Sequence, residues 1–335
     1  MRNLSASKIK CLKSLSAGAL VVGLLGSFAI PAFSQNSQDW PNAIGNVSCD
    51  RECLFDTADQ YLEGMLARNP EQVPWAEHVK YTENNVALDI GDGLWGTITG
   101  LGDYKLEVAD EAKGQVGIFG IVEEPSFSSL YSMRMLVEDK KISEVEIVVL
   151  RMVSEPKSIV WPEPEMTLNP IFAEILPEPE RRSRERLISI ADGYFDTLQL
   201  NDGTLFTEFH EDCDRVENGT QTTNNSKVAI TSVGKVSCEE QFLLGNYRYD
   251  DALRERRFPL VDEERGLVMS SAFIDHSGSL GEYTLTDGRV VEAPIRYPHS
   301  FYLLELFKIV DGKIRQIEAV FVTVPYGMPS PWYKR

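Results

Sequence analysis

The sequence predicts an α+β protein of two tandem, cone-shaped domains, each a set of helices on one face of a curved, mostly antiparallel sheet. Three observations carry this: a long-period internal repeat, a helical pattern opening each copy, and a run of strand patterns closing it. Ala58-Asp59-Gln60-Tyr61-Leu62 returns as Ala191-Asp192-Gly193-Tyr194-Phe195, and Tyr81-Thr82-Glu83-Asn84-Asn85 as Arg215-Val216-Glu217-Asn218-Gly219. Asp110-Glu111-Ala112-Lys113-Gly114 returns as Asp262-Glu263-Glu264-Arg265-Gly266, and Lys141-Ile142-Ser143-Glu144-Val145-Glu146 as Lys313-Ile314-Arg315-Gln316-Ile317-Glu318. Four matches in one order make the chain a duplication.

Residues 1–34 come first. A basic stretch to Lys13, an apolar run from Ala17 to Ile30, and small residues at Ala32 and Ser34 form the three-part pattern of a cleavable secretory signal. The run is short for a membrane anchor, which is the competing reading. The mature chain is expected to be soluble and secreted or periplasmic. Its balance of 33 Lys and Arg against 51 Asp and Glu, net −18, excludes nucleic acid and anionic membrane surfaces as partners. The leader holds four of those cations and no acid, so its removal deepens the charge.

Export puts Cys49, Cys53, Cys213 and Cys238 in an oxidising compartment, where three pairings are open. Cys49 with Cys53 and Cys213 with Cys238 is favoured, because each bridge then stays within one copy. A zinc site competes weakly, since the spacings match no finger pattern.

The first domain, residues 47–154, opens with Leu54, Thr57, Ala58, Tyr61, Leu62 and Met65 at helical spacing. Strands follow over 116–122, 130–137 and 142–150, rich in β-branched and aromatic residues. Residues 155–181 are a proline-rich linker whose apolar side chains, Phe172 and Leu176 among them, predict a strap lying on a domain surface. The second domain, 182–325, repeats the helix with Leu187, Ile190, Ala191, Tyr194, Phe195 and Leu198. A tail, 326–335, ends the chain.

The helix, Glu-Asn turn, strands and closing hairpin Glu305-Leu306-Phe307-Lys308-Ile309-Val310-Asp311-Gly312-Lys313-Ile314 resemble the ketosteroid-isomerase, polyketide-cyclase (SnoaL) and nuclear-transport-factor-2-like superfamily. Gly91-Asp92-Gly93-Leu94-Trp95-Gly96, Asp262-Glu263-Glu264-Arg265-Gly266 and Pro325-Tyr326-Gly327-Met328 are similar to a group of exported two-copy proteins with this fold. The resemblance implies a cone with an apolar cavity between helix and sheet. It leaves function open, because that superfamily holds isomerases, dehydratases, cyclases, epoxide hydrolases and non-catalytic members.

The copies are unequal. The stretches from Glu217 to Asp262 and from Gly266 to Lys313 are much longer than their counterparts, Glu83 to Asp110 and Gly114 to Lys141. Long loops on a rigid scaffold point to function, so the site is expected in the second copy. There Phe301, Leu303, Glu305 and Phe307 share one strand face, setting an acid among apolar neighbours. The first copy has Met133 in place of Glu305. The resemblance implies that an acid at Glu305 points into the cavity, and burial would raise its pKa into the range useful for moving protons.

Glu305 is therefore the first catalytic candidate, with Glu217 and His276 beside it. Glu217 sits where the resemblance implies a general base, yet its recurrence as Glu83 also suits a turn-capping role. His276 and His210 each have a structural reading as well as a catalytic one. Tyr302, Arg257 and Asn218 are candidate ligand-binding residues. His210 with Asp212 and Asp214 is set aside as a metal site because Cys213 lies between them. Serine-hydrolase, phosphate-loop, dinucleotide and His-Glu-x-x-His motifs are missing from the sequence. The expectation is an exported enzyme of lyase or isomerase type, cofactor-free and metal-free, acting on a small, largely apolar organic molecule. The alternative is a non-catalytic exported ligand- or protein-binding protein.

Overall fold

A computed structural model describes residues 49–151, 166–227 and 233–333. The expected signal sequence and the first half of the linker, with Trp161, lie outside the described residues. In the first domain α1 (Arg51–Leu66) precedes β1 (Trp75–Glu83), β2 (Val86–Ala87), the short α2 (Leu94–Thr97), β3 (Gly100–Asp110), β4 (Gln115–Glu124), β5 (Phe127–Glu138) and β6 (Lys141–Arg151). In the second, α3 (Arg184–Leu200) precedes β7 (Phe209–Glu217), β8 (Thr220–Gln221), α4 (Cys238–Leu243), β9 (Ala252–Asp262) and β10 (Leu267–His276). A small hairpin of β11 (Glu282–Thr284) and β12 (Val290–Glu292) follows, then β13 (His299–Val310) and β14 (Lys313–Val324).

The long helices form where apolar residues recur at helical spacing. All six positions expected in each are buried. Asp50 starts α1 by accepting the Cys53 amide at 3.0 Å, and Ser183 starts α3 by accepting that of Arg186. Each helix lies on its own six-stranded sheet, ordered β2-β1-β6-β5-β4-β3 and β8-β7-β14-β13-β10-β9. Among the described residues only β1 with β6 and β7 with β14 pair in parallel.

The repeated Glu-Asn element owes its recurrence to the asparagine. Asn84 and Asn218 take left-handed conformations, φ 48° and 49°, which Asn tolerates better than most residues. Asn84 Nδ2 donates to the Val149 carbonyl and its Oδ1 accepts the Val149 amide; Asn218 does the same with Phe321. Each asparagine thereby pins the end of its parallel strand pair. Asn218 is wholly committed to the backbone, which corrects its expected role as a ligand-binding residue.

Strand faces turned away from the helices are buried too, because the two sheets pack back to back. Phe119, Leu130 and Val148 of the first meet Met269, Phe273, Leu304 and Val320 of the second. The approach is close at Gly117, where a Cβ would lie 2.7 Å from Met269 Sδ. Within this layer Glu146 accepts from Arg134 Nε at 3.0 Å, from Ser271 Oγ at 3.3 Å, and from Arg257 and the Tyr302 hydroxyl. Burial alone would raise the Glu146 pKa, but the two guanidiniums outweigh it and hold it at about 2. Tyr302 and Arg257 therefore serve the joint between the sheets. Their expected role as cavity ligands is corrected: both project from the sheet face opposite the helix.

The described part of the linker behaves as a strap. Phe172 joins the inter-sheet core, and Leu176 is buried with its amide bonded to the Glu264 carbonyl at 2.9 Å. The tail docks on the first domain, with Trp332 Nε1 donating to Thr82 Oγ1 at 3.0 Å beneath Lys80. Both expected disulfides are formed, Cys49–Cys53 and Cys213–Cys238. The second spans 25 residues and ties α4 to β7; loops of that size are stabilised by about 3 kcal/mol. Among the described residues no helix is long and apolar enough to cross a membrane.

Candidate functional site

A cavity of about 80 Å³ lies in the second domain between α3 and the sheet. A buried water needs roughly 10–15 Å³ on this measure, so several non-hydrogen atoms fit. Tyr194 and Leu198 reach it from α3, Phe301, Leu303 and Glu305 from β13. The two insertions complete the walls: Tyr247, Tyr249 and Asp250 come from the first, Ile295 from the second. These insertions also hold each other, since the Tyr283 hydroxyl donates to the Asn246 carbonyl and Thr286 Oγ1 to that of Leu243 at 2.7 Å.

Two acids face the cavity at one level of the sheet. Glu305 on β13 pairs with Ala319 on β14, and Ala319 pairs with Glu217 on β7. The carboxyls thus rise from strands two spacings, about 10 Å, apart, over a residue too small to fill the gap. In the first domain the same row reads Met133, Ile147, Glu83. There larger side chains, together with Trp95 from α2, close the space.

Arg215 organises this end. It is 2% exposed; Nη2 donates to Glu217 Oε1 at 2.7 Å, and Nη1 to the Tyr247 hydroxyl at 2.7 Å and Gln241 Oε1 at 3.1 Å. Its guanidinium carbon lies 5.3 Å from the centre of the Phe242 ring and 5.1 Å from that of Tyr247. Thr222 donates to the other Glu217 oxygen. Arg215 Nε is buried and has no hydrogen-bond partner among the described residues.

Glu305 is 3% exposed and is hydrogen-bonded by Tyr194. Burial pushes its pKa up to about 8, with Arg215 opposing and the Glu217 charge adding to the rise. At neutral pH it is therefore mostly a protonated acid. Six positions back along β13 stands His299, paired with His276 at the far end of the cavity. His276 Nδ1 lies 3.2 Å from both the Tyr249 carbonyl and Asp250 Oδ1, two acceptors, so Nδ1 carries a proton. Its Nε2 is buried and has no hydrogen-bond partner among the described residues. Burial alone would lower the His276 pKa, but contact with Asp250 outweighs it and raises it.

The structure thus gathers Glu305, Glu217 and His276 around one cavity and leaves Tyr302, Arg257 and Asn218 outside its lining. His210 is also outside, its Nδ1 accepting the Asp212 amide at 3.1 Å. The first domain lacks the constellation. Tyr81 replaces Arg215, Met133 replaces Glu305, and Glu124, at the His276 position, is tied to Ser129 at 2.7 Å and to Arg151. Sequence reasoning missed Arg215, Tyr194 and Asp250. The alternation of Cys213, Arg215 and Glu217 beside a buried disulfide partner was the signal for the first; Asp250 carried none, lying in an insertion without a counterpart.

No curated protein matches the chain. The model of the family described as Domain of unknown function (DUF8021) matches it over residues 48–149 and 180–321, one stretch in each copy, and the chain belongs to that family.

Proposed function

We propose that this DUF8021 chain is an exported small-molecule enzyme of lyase or isomerase type, working by cofactor-free acid–base chemistry in its second domain. One observation carries the reading: two carboxyls level across the sheet in opposite states, Glu305 protonated by burial and Glu217 ion-paired with Arg215. Carboxyls driven apart in this way divide into an acid and a base. Glu217 removes a proton from carbon beside a carbonyl. The electron pair forms the new C=C bond and the carbonyl electrons move onto oxygen, where Arg215 stabilises them. Glu305 then returns a proton, to another carbon in an isomerisation or to a departing hydroxyl that leaves as water. No electrons enter or leave.

Disulfides and the apolar leader support export, and the cavity between helix and sheet supports the ketosteroid-isomerase-like cone. Ligand binding without turnover is the second reading, favoured by the fact that both Glu217 oxygens are already occupied. Exchange of carbon-bound hydrogen in D2O separates the two. In a panel of small ketones and β-hydroxyketones followed by proton NMR, the protein is expected to accelerate exchange beside the carbonyl. Glu305→Gln and Glu217→Gln are expected to abolish it while remaining folded, Glu217→Gln at a lower melting temperature because it leaves the buried Arg215 without its counter-charge. Absence of exchange across the panel, or full exchange by Glu305→Gln, overturns the enzyme reading.

A further inference from the structure

Two buried histidines stand side by side at the end of the cavity away from the carboxyls. His276 on β10 and His299 on β13 are directly opposite in the antiparallel register, and His276 lines the cavity. Their rings are held in similar ways. His276 Nδ1 lies 3.2 Å from the Tyr249 carbonyl, and His299 Nδ1 lies 3.0 Å from that of Tyr297. A carbonyl only accepts, so each Nδ1 carries a hydrogen and each neutral ring keeps its lone pair on Nε2. Both Nε2 atoms are buried and have no hydrogen-bond partner among the described residues. Buried polar atoms are nearly always paired, and two bare imidazole nitrogens on neighbouring strands call for a common partner.

The surroundings favour a cation in that place. Asp250 Oδ1 lies 3.2 Å from His276 Nδ1, and a carboxylate behind an imidazole is the arrangement that orients and strengthens a metal-binding histidine. The same contact favours a proton on His276; a metal ion takes that proton's place on Nε2 and leaves Nδ1 on Asp250. The rings are also braced. Tyr297 stacks on His299 with centres 4.5 Å apart, and Phe301 packs edge-on against both histidines at 4.8 Å.

Spacing selects the ion. Zinc bonds imidazole nitrogen at about 2.0–2.1 Å, which places it about 3.2 Å from each ring centre. The two centres are 4.9 Å apart, so they subtend about 100° at such an ion, close to a tetrahedral angle. A linear two-coordinate ion would need centres about 6.4 Å apart. Calcium and magnesium take oxygen ligands and have no claim on an imidazole pair. Among the described residues no group of three or more His, Cys, Asp or Glu side chains is placed to hold a metal. The protein therefore supplies two ligands, and water or a ligand oxygen fills the remaining positions.

We propose that His276 and His299 bind a divalent ion of the zinc class through their Nε2 atoms, with Asp250 as the positioning residue behind His276. The site is independent of the acid–base reading, since six residues of β13, about 20 Å of strand, separate His299 from Glu305.

Calorimetry with zinc chloride at about pH 7.5, where imidazoles give up their protons to a metal, tests it on the chain from residue 35. All four of its cysteines are in disulfides, so no thiolate competes. One ion per chain is expected, and magnesium should not displace it. His276→Phe and His299→Phe are each expected to lose the ion, and His78→Ala with His210→Ala to keep it. Asp250→Asn should bind it about ten- to a hundredfold more weakly. Should the phenylalanine variants not fold, imidazole nitrogen NMR of the wild-type protein serves instead: zinc moves the Nε2 signals of His276 and His299 together and leaves both Nδ1–H signals in place. No uptake, uptake unchanged in either phenylalanine variant, or Nε2 signals that stay put overturns the proposal and leaves a bridging water as the occupant. Zinc uptake without hydrogen exchange in D2O keeps this site and removes the acid–base reading; exchange without zinc uptake does the reverse.

Discussion

Glu305 sits on a strand whose inward face is otherwise apolar, and its carboxyl keeps a proton to about pH 8 because Arg215 and the Tyr194 hydrogen bond do not offset the hydration lost on ionising it there. If that proton is the one delivered, activity is full below pH 8 and falls tenfold per unit above it, since the group must be protonated to act. A pH–rate profile on an exchanging ketone checks this; an alkaline limb absent up to pH 9.5 contradicts it. Glu305 was legible because alternation along Phe301, Leu303 and Phe307 put an acid where only a core residue or a functional one belongs. Tyr302 and Arg257 were misread for a related reason. The opposite face of the same sheet is a second buried surface, and polar residues there satisfy Glu146 instead of a ligand.

At the scale of elements, both long helices, β4 to β6 and the closing hairpin of β13 and β14 were readable from their periods of 3.6 and 2, and the insertions from simple length, whereas β1, β3, β7 and β9 were not. The back-to-back joint was not. A strand buried on both faces reads as a continuous apolar run, and nothing in β10 or β13 alone says whether its second face meets solvent, a helix or another sheet. One row of three residues distinguishes the second domain from the first. Ala319→Ile restores the composition of the first domain's row, where Ile147 stands, and is expected to close the cavity floor. Hydrogen exchange beside the carbonyl should be lost, with stability changed by no more than about 1–3 kcal/mol, the usual range for overpacking. Retained exchange would show that Ala319 does not form the floor. Asn218→Ala acts differently: it removes two backbone hydrogen bonds and leaves a left-handed residue that is not Asn. Each lost bond is worth about 1 kcal/mol, so chemical denaturation should show a loss of about 2 kcal/mol, as should Asn84→Ala in the first domain.

The whole molecule carries a pH dependence written by three buried carboxyls. Glu318, in the joint between the sheets, accepts from the Tyr104 hydroxyl, and burial pushes its pKa up to about 7. Its quasi-equivalent Glu146 has two arginines and is held at about 2. An unfolded glutamate titrates near 4.3, so between that pH and 7 the unfolded chain has released the Glu318 proton while the folded protein still holds it. Folding then takes up a proton, and stability falls as pH rises through this window, by about 3 kcal/mol for a shift of this size. Glu305 extends the same slope to about 8. Glu146 has the opposite sign: its stabilisation is complete above about pH 4.3 and is lost as the pH falls towards 2. Thermal melts are therefore expected to peak near pH 5 and to decline towards pH 8. Glu318→Gln isolates the effect of the joint, because its amide oxygen still accepts from Tyr104 and carries no charge. That variant should melt higher than wild type at pH 8, match it near pH 5, and show a shallower alkaline slope; an unchanged slope would mean that Glu318 does not titrate between the sheets.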